Sequence, residues 1–68
     1  MLFFKSKKIE DLFEKKKYKK IISDFLVDEN IDQTNWKKNF FIAKSYYHIQ
    51  NFNKSLDVLN LIDQKISQ

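Results

Sequence analysis

The chain contains no cysteine, no glycine, no proline and no arginine. Each absence excludes something. Without cysteine there is neither a disulfide nor a thiolate metal site, and the composition suits a reducing compartment. Without glycine or proline, the tight turns that need a positive φ or a fixed one have no natural residue, so connections fall to Asn, Asp, Gln and Lys. That favours helices joined by short polar links over a set of β-hairpins. Without arginine, the usual fork for bidentate phosphate and base-edge recognition is missing, although lysine is plentiful. No apolar run approaches the ~20 residues needed to span a bilayer. Met1-Leu2-Phe3-Phe4 is too short for a secretory core and its lysines follow it, so no signal peptide is expected.

What is present is aromatic and basic. Seven Phe, three Tyr and one Trp occur in 68 residues, enough for a core or an adhesive groove and too many for a disordered tail. The net charge of +4 is unevenly spread. Residues 1–20 carry eight Lys against three acids, residues 21–35 four acids and no base, and residues 36–54 four Lys and no acid. A single domain this small buries a modest fraction of its surface, and its stability is expected to be marginal.

Apolar positions recur at helical spacing in four segments. The first runs from about Phe4 to Lys15, with Ile9, Leu12 and Phe13 on one face. The second runs from about Tyr18 to Asp28, with Ile21, Ile22, Phe25 and Leu26. A polar stretch from Glu29 to Asn35 follows, where Asp32, Thr34 and Asn35 are candidate N-caps. The third segment, Trp36 to Gln50, carries the stripe Trp36, Phe40, Ala43 and Tyr47. The fourth opens at Phe52 and runs to Ile66 through Leu56, Leu59 and Ile62. Links of two or three residues within each pair make the pairs antiparallel. The expected fold is therefore all-α: two tandem antiparallel helical hairpins, residues 2–35 and 36–68, in one domain.

The hairpins repeat at a spacing of 34 residues. Leu12 matches Tyr46, Phe13 matches Tyr47, Tyr18 matches Phe52, Ile22 matches Leu56 and Phe25 matches Leu59. In the second unit Ile42-Ala43 form a large-then-small pair, Tyr46 follows three residues later, Ser55 is small and Leu59 large. With these residues the chain resembles the tetratricopeptide (TPR) repeat. The first unit departs more: Ile9 and Ile21 stand where the family prefers small residues, Lys8 where it prefers an apolar one, and Gln33 in place of its proline. Asn39 holds the family's usual tryptophan position, and Trp36 lies one turn earlier. The resemblance implies a right-handed superhelical stack whose first helices line a groove that grips a peptide. By position that groove would show Phe3, Ser6, Glu10, Phe13 and Glu14 from the first unit, and Lys37, Phe40, Lys44, Tyr47 and His48 from the second. The family's carboxylate clamp is missing, since its positions hold Ser6, Glu10 and Phe41.

Other residues carry weaker signals. His48, the one histidine, has no acid within a turn and is expected to be solvated or to sit at a groove edge. Glu10/Glu14 and Asp24/Asp28 are spaced i,i+4 and read as solvated pairs. The basic patch Lys15, Lys16, Lys17, Lys19 and Lys20 falls at the first hairpin's turn. It reads first as a solvated turn; as a binding surface it would give salt-sensitive contacts to phosphates or an acidic partner. Leu2, Phe3 and Phe4 followed by lysines resemble an interfacial membrane anchor, although the preferred reading is that Phe3 and Phe4 begin the first helix and pack inward. Val58, Leu59, Leu61 and Ile62 lie on a last helix with no following cap, and Val58, Leu59 and Ile62 are the expected self-association surface. No phosphate loop, nucleophile–base pair or metal-ligand cluster is visible, so neither an enzyme, a cofactor nor a small-molecule substrate is expected. The expectation is a cytoplasmic interaction scaffold binding a protein or peptide, or a second copy of itself. The alternatives are a nucleic-acid-binding module and a membrane-peripheral adaptor.

Overall fold

A computed structural model of the protein describes residues 5–66, with side chains from Lys8 onward. Phe3, Phe4 and the proposed N-terminal anchor lie outside the described residues, as does the side chain of Ser6. The described chain is all-helical. Four helices follow one another: α1 (Lys5–Glu14), α2 (Tyr18–Asp24), α3 (Trp36–His48) and α4 (Phe52–Ile66). α1 and α2 form one antiparallel hairpin, α3 and α4 the other, and α3 also packs on both helices of the first.

The two hairpin turns are built alike, 34 residues apart. At the end of α1, Lys16 N–H donates to Phe13 O (3.0 Å) and Lys17 N–H to Leu12 O (2.9 Å). At the end of α3, Gln50 N–H donates to Tyr47 O (2.9 Å) and Asn51 N–H to Tyr46 O (2.9 Å). Both are Schellman closures, which satisfy the last helical carbonyls by turning one residue left-handed. That residue is Lys16 (φ 60°) in the first turn and Gln50 (φ 69°) in the second. The chain, lacking glycine, makes these turns with residues that bear a Cβ.

Two apolar clusters hold the hairpins together. In the first, Ile9, Ile21 and Ile42 are buried, with Leu12, Phe13, Phe25, Phe41 and Tyr46 packed around them. In the second, Ile31, Ala43, Val58 and Ile62 are buried beneath Trp36, Phe40, Leu61 and Ile66. Val27 touches both clusters. Ile9 and Ile21 fill the first hairpin at the positions where the second has Ala43 and Ser55. There the small side chains allow close approach, and Ser55 Oγ donates to Ala43 O across the pair (2.9 Å).

Three expectations are corrected. α2 ends at Asp24, not Asp28, because Phe25 turns extended (φ −124°, ψ 137°). The following segment then alternates, with Phe25 and Val27 inward and Leu26 80% exposed instead of joining the helical stripe. Asp24 and Asp28 therefore share no helix face: Asp24 pairs with Lys20 (3.1 Å) and Asp28 with Lys38 (2.9 Å). Second, Val58 and Ile62 are each only 7% exposed and face the core, so of the expected self-association residues only Leu59 is exposed. The outward stripe of α4 instead runs through Phe52, Leu56 and Leu59. Third, the expected N-caps close the loop instead of capping α3. Asp32 Oδ1 accepts from Thr34 N–H (2.8 Å) and Thr34 Oγ1 (2.6 Å), and Asn35 Oδ1 accepts from Asp32 N–H (2.8 Å).

The extended segment is anchored by Asn39, which is fully buried on α3. Its Oδ1 accepts from Asp28 N–H (3.0 Å) and its Nδ2 donates to Asp28 O (2.8 Å). One amide side chain thus satisfies both backbone groups of a residue that has left the helix. Ile31 is then delivered into the second cluster.

Candidate functional site

α3 presents Lys37, Phe41, Lys44 and His48 along one side, at the i, i+4, i+7 and i+11 spacing of a helix face, with Phe40 and Tyr47 at its edge. α1 contributes Phe13 opposite them. The centre is Lys44, which is half-buried. Its Nζ lies 4.8 Å from the Phe13 ring centroid, 5.0 Å from that of Phe40 and 5.7 Å from that of Phe41. Each ring is within the range where its negative face attracts a cation. Among the described residues no carboxylate lies within ion-pair distance of Lys44.

The rings form a continuous strip. Trp36 meets Phe40 edge-to-face (5.7 Å), Phe40 lies beside Phe41 (6.4 Å) and Phe41 meets Phe13 (5.3 Å). Phe13 then meets both Tyr18 (5.4 Å) and His48 (5.7 Å). His48 lies flat on Tyr18, with centroids 4.4 Å apart and planes 4° apart. Tyr47 closes the strip against His48 (6.1 Å) and Phe52 (5.3 Å). Edge-to-face pairs add specific geometry to ordinary apolar burial. The rings hold one another in register; Phe13, Tyr18, Trp36, Phe40 and Phe41 are half-buried, and Tyr47, His48 and Phe52 are exposed.

Of the residues expected in a groove, Phe13, Phe40, Lys44 and His48 come together here, with Tyr47 at the margin. Glu10 and Lys37 line a neighbouring hollow of about 350 Å³ with Ile9, Thr34, Asn35 and Phe41, beside the Asp28–Lys38 pair. Phe3 lies outside the described residues. Sequence reasoning missed Tyr18 and Phe41. Phe41 was detectable, because it shares the face of Lys44 and His48 at i+3 and i+7. Tyr18 was not, because its place under His48 depends on how the two hairpins stack.

The basic patch is partly neutralised. Lys15 pairs with Asp11 (3.3 Å) and Lys20 with Asp24 (3.1 Å), both exposed i,i+4 pairs of small energetic weight. Lys16, Lys17, Lys19 and Lys20 rim a shallow hollow over Tyr18 and Ile49. The Lys20 ammonium and the Ser23 hydroxyl hold the Asp24 carboxyl below its ordinary value. The Thr34 hydroxyl and backbone amide do the same for Asp32. Among the described residues, no three His, Asp or Glu side chains converge as a metal site would require, and no helix is long and apolar enough to cross a membrane.

No family model, curated protein or solved structure matches the chain.

Proposed function

We propose that the protein is a small interaction scaffold whose α1/α3 face grips a segment of a partner protein carrying acidic and aromatic side chains. The observation that carries this reading is Lys44: a half-buried ammonium set among three aromatic rings, with no carboxylate of the described residues within ion-pair distance. Rings alone attract the cation modestly, and an incoming carboxylate would supply the stronger, charge-assisted bond. The half-buried rings of the strip offer the apolar anchor and Lys44 fixes the orientation, the usual division of labour at a binding hot spot. Lys37 and His48 add donors on the same face.

The resemblance to TPR repeats supports the same surface, since that family binds peptides on the faces of its first helices. The matched turns at Lys16 and Gln50 and the close Ala43–Ser55 approach accord with it. A cytoplasmic setting belongs to the proposal on the cysteine-free composition.

The test is fluorescence anisotropy with a labelled peptide that alternates Glu or Asp with Phe or Trp, and with its Lys-for-Glu counterpart. Saturable binding of the acidic peptide, reduced about tenfold or more by Lys44→Ala, supports the reading. Equal binding of both peptides, or none, overturns it. Lys44 is the better probe than Phe13, which also packs on the first apolar cluster and would be felt in stability.

A further inference from the structure

The apolar surface left over on α3 and α4 is the image, one repeat later, of a surface that is covered inside the molecule. In the first hairpin Phe13 and Phe25 pack on the cluster that Ile42 of α3 completes, Tyr18 stacks on His48 of α3, and Ile22 is half-buried. Their partners at +34 are Tyr47, Phe52, Leu56 and Leu59, which are 60, 54, 58 and 38% exposed. The correspondence extends to ring geometry. Phe13 and Tyr18 meet at 5.4 Å and 67°, Tyr47 and Phe52 at 5.3 Å and 62°. The second hairpin thus carries a ready-shaped helix seat that no described residue fills.

We infer that this seat is filled by the same seat on a second copy of the chain, in a two-fold symmetric dimer. Head-to-tail stacking, with α1 of a second copy taking the place of α3, is disfavoured by the residues it would bury. α3 reaches the first hairpin with Phe41, Ile42 and Tyr46. The α1 positions 34 residues earlier hold Lys7, Lys8 and Leu12, so two of the three apolar contacts become charges. A two-fold interface instead sets the stripe against itself. An antiparallel α4 pair centred between Leu56 and Leu59 places Leu56 against Leu59 of the second copy, and the reverse. The same register sets Asp63 beside the first turn of the second copy's α4, where the helix dipole favours a carboxylate. A parallel pair would stack Asp63 on Asp63 and is disfavoured by like charge.

At the stated exposures the four side chains present roughly 400 Å² of mostly apolar surface, so two copies bury about 800 Å² of it between them. With a polar rim of Gln50, Asn53 and Asn60, this supplies the apolar centre of a weak, concentration-dependent contact. The surface shares Tyr47 and Phe52 with the end of the aromatic strip but includes neither Lys44 nor the rings around it, and the inference does not depend on what that groove binds.

The test is light scattering on the 68-residue chain over a concentration series, with helicity read on the same samples. The expected result is a mass that doubles from 8.3 kDa with concentration. Leu56→Glu and Leu59→Glu should each hold the chain at the monomer mass with helicity unchanged, because both side chains are exposed. Leu56→Ser serves as a milder second variant with the same expected result. A wild-type chain that stays monomeric at the highest concentration overturns the inference. So does a dimer that survives Leu56→Glu with its helicity intact, and so does growth beyond two copies, which would signify open head-to-tail stacking.

Discussion

Replacing Asn39 by Ala tests how the loop between the hairpins is held. Asn39 is fully buried and makes both bonds to the Asp28 backbone, at 3.0 and 2.8 Å. Truncation removes two hydrogen bonds worth about 1 kcal/mol each and leaves Asp28 N–H and C=O to find water at a half-buried site, a total near 2–3 kcal/mol. A chain of this length has about 3–10 kcal/mol in all. At 4–8 °C per kcal/mol for a domain this small, the melting midpoint should fall by about 10–20 °C. The assay is thermal denaturation followed by helical circular dichroism, with hydrogen exchange at Asp28 on the same variant. Protection of the Asp28 amide should be lost more than that of α4. Asn39→Asp keeps an acceptor for Asp28 N–H but turns a carboxylate toward Asp28 O, so it should be no better than Ala at neutral pH. A loss below about 0.5 kcal/mol, the scale of an ordinary surface substitution, would refute the reasoning.

The two left-handed turn residues give a stabilising prediction. Lys16→Gly and Gln50→Gly each remove the Cβ penalty at a positive φ and should raise stability by about 1 kcal/mol, read by denaturant titration. At the close approach of α3 and α4, Ser55→Ala should cost about 1 kcal/mol through loss of the bond to Ala43 O. Ala43→Leu should cost about 1–3 kcal/mol or more by overpacking, in the same assay. Asp32 has a depressed folded-state pKa, so its contribution is present above the unfolded value of 3.8 and is lost as pH falls through the lower folded value. Carboxyl NMR should place its midpoint below 3.8, and Thr34→Val should move it back toward that value.

The helical architecture was legible because it rests on local pattern. Ile9, Leu12 and Phe13, then Trp36, Phe40 and Ala43, recur at helical spacing, and the links around Lys16 and Gln50 are too short for anything but antiparallel hairpins. What was illegible depends on partners distant in sequence. The spacing of Ile22, Phe25 and Leu26 looks helical, yet α2 stops at Asp24 because Asn39, eleven residues beyond Asp28, captures the backbone in an extended path. Leu26 is left outside by that choice. Val58 and Ile62 were misplaced because a 3.6-residue period identifies a stripe without saying which side of it another helix covers. The groove followed the same rule. Phe13, Phe40, Lys44 and His48 were named through the positions that the TPR resemblance implies, whereas the Tyr18–His48 stack arises only from how one hairpin sits on the other.

The most direct test of the binding account is an amide-shift NMR titration of the isotope-labelled chain with the acidic aromatic peptide. The account predicts that the largest shifts fall on Phe13 and on residues 37–48, fade in Lys44→Ala, and spare Leu56 and Leu59. Shifts concentrated on Lys15–Lys20 and insensitive to Lys44→Ala would contradict it and assign the contact to the basic turn.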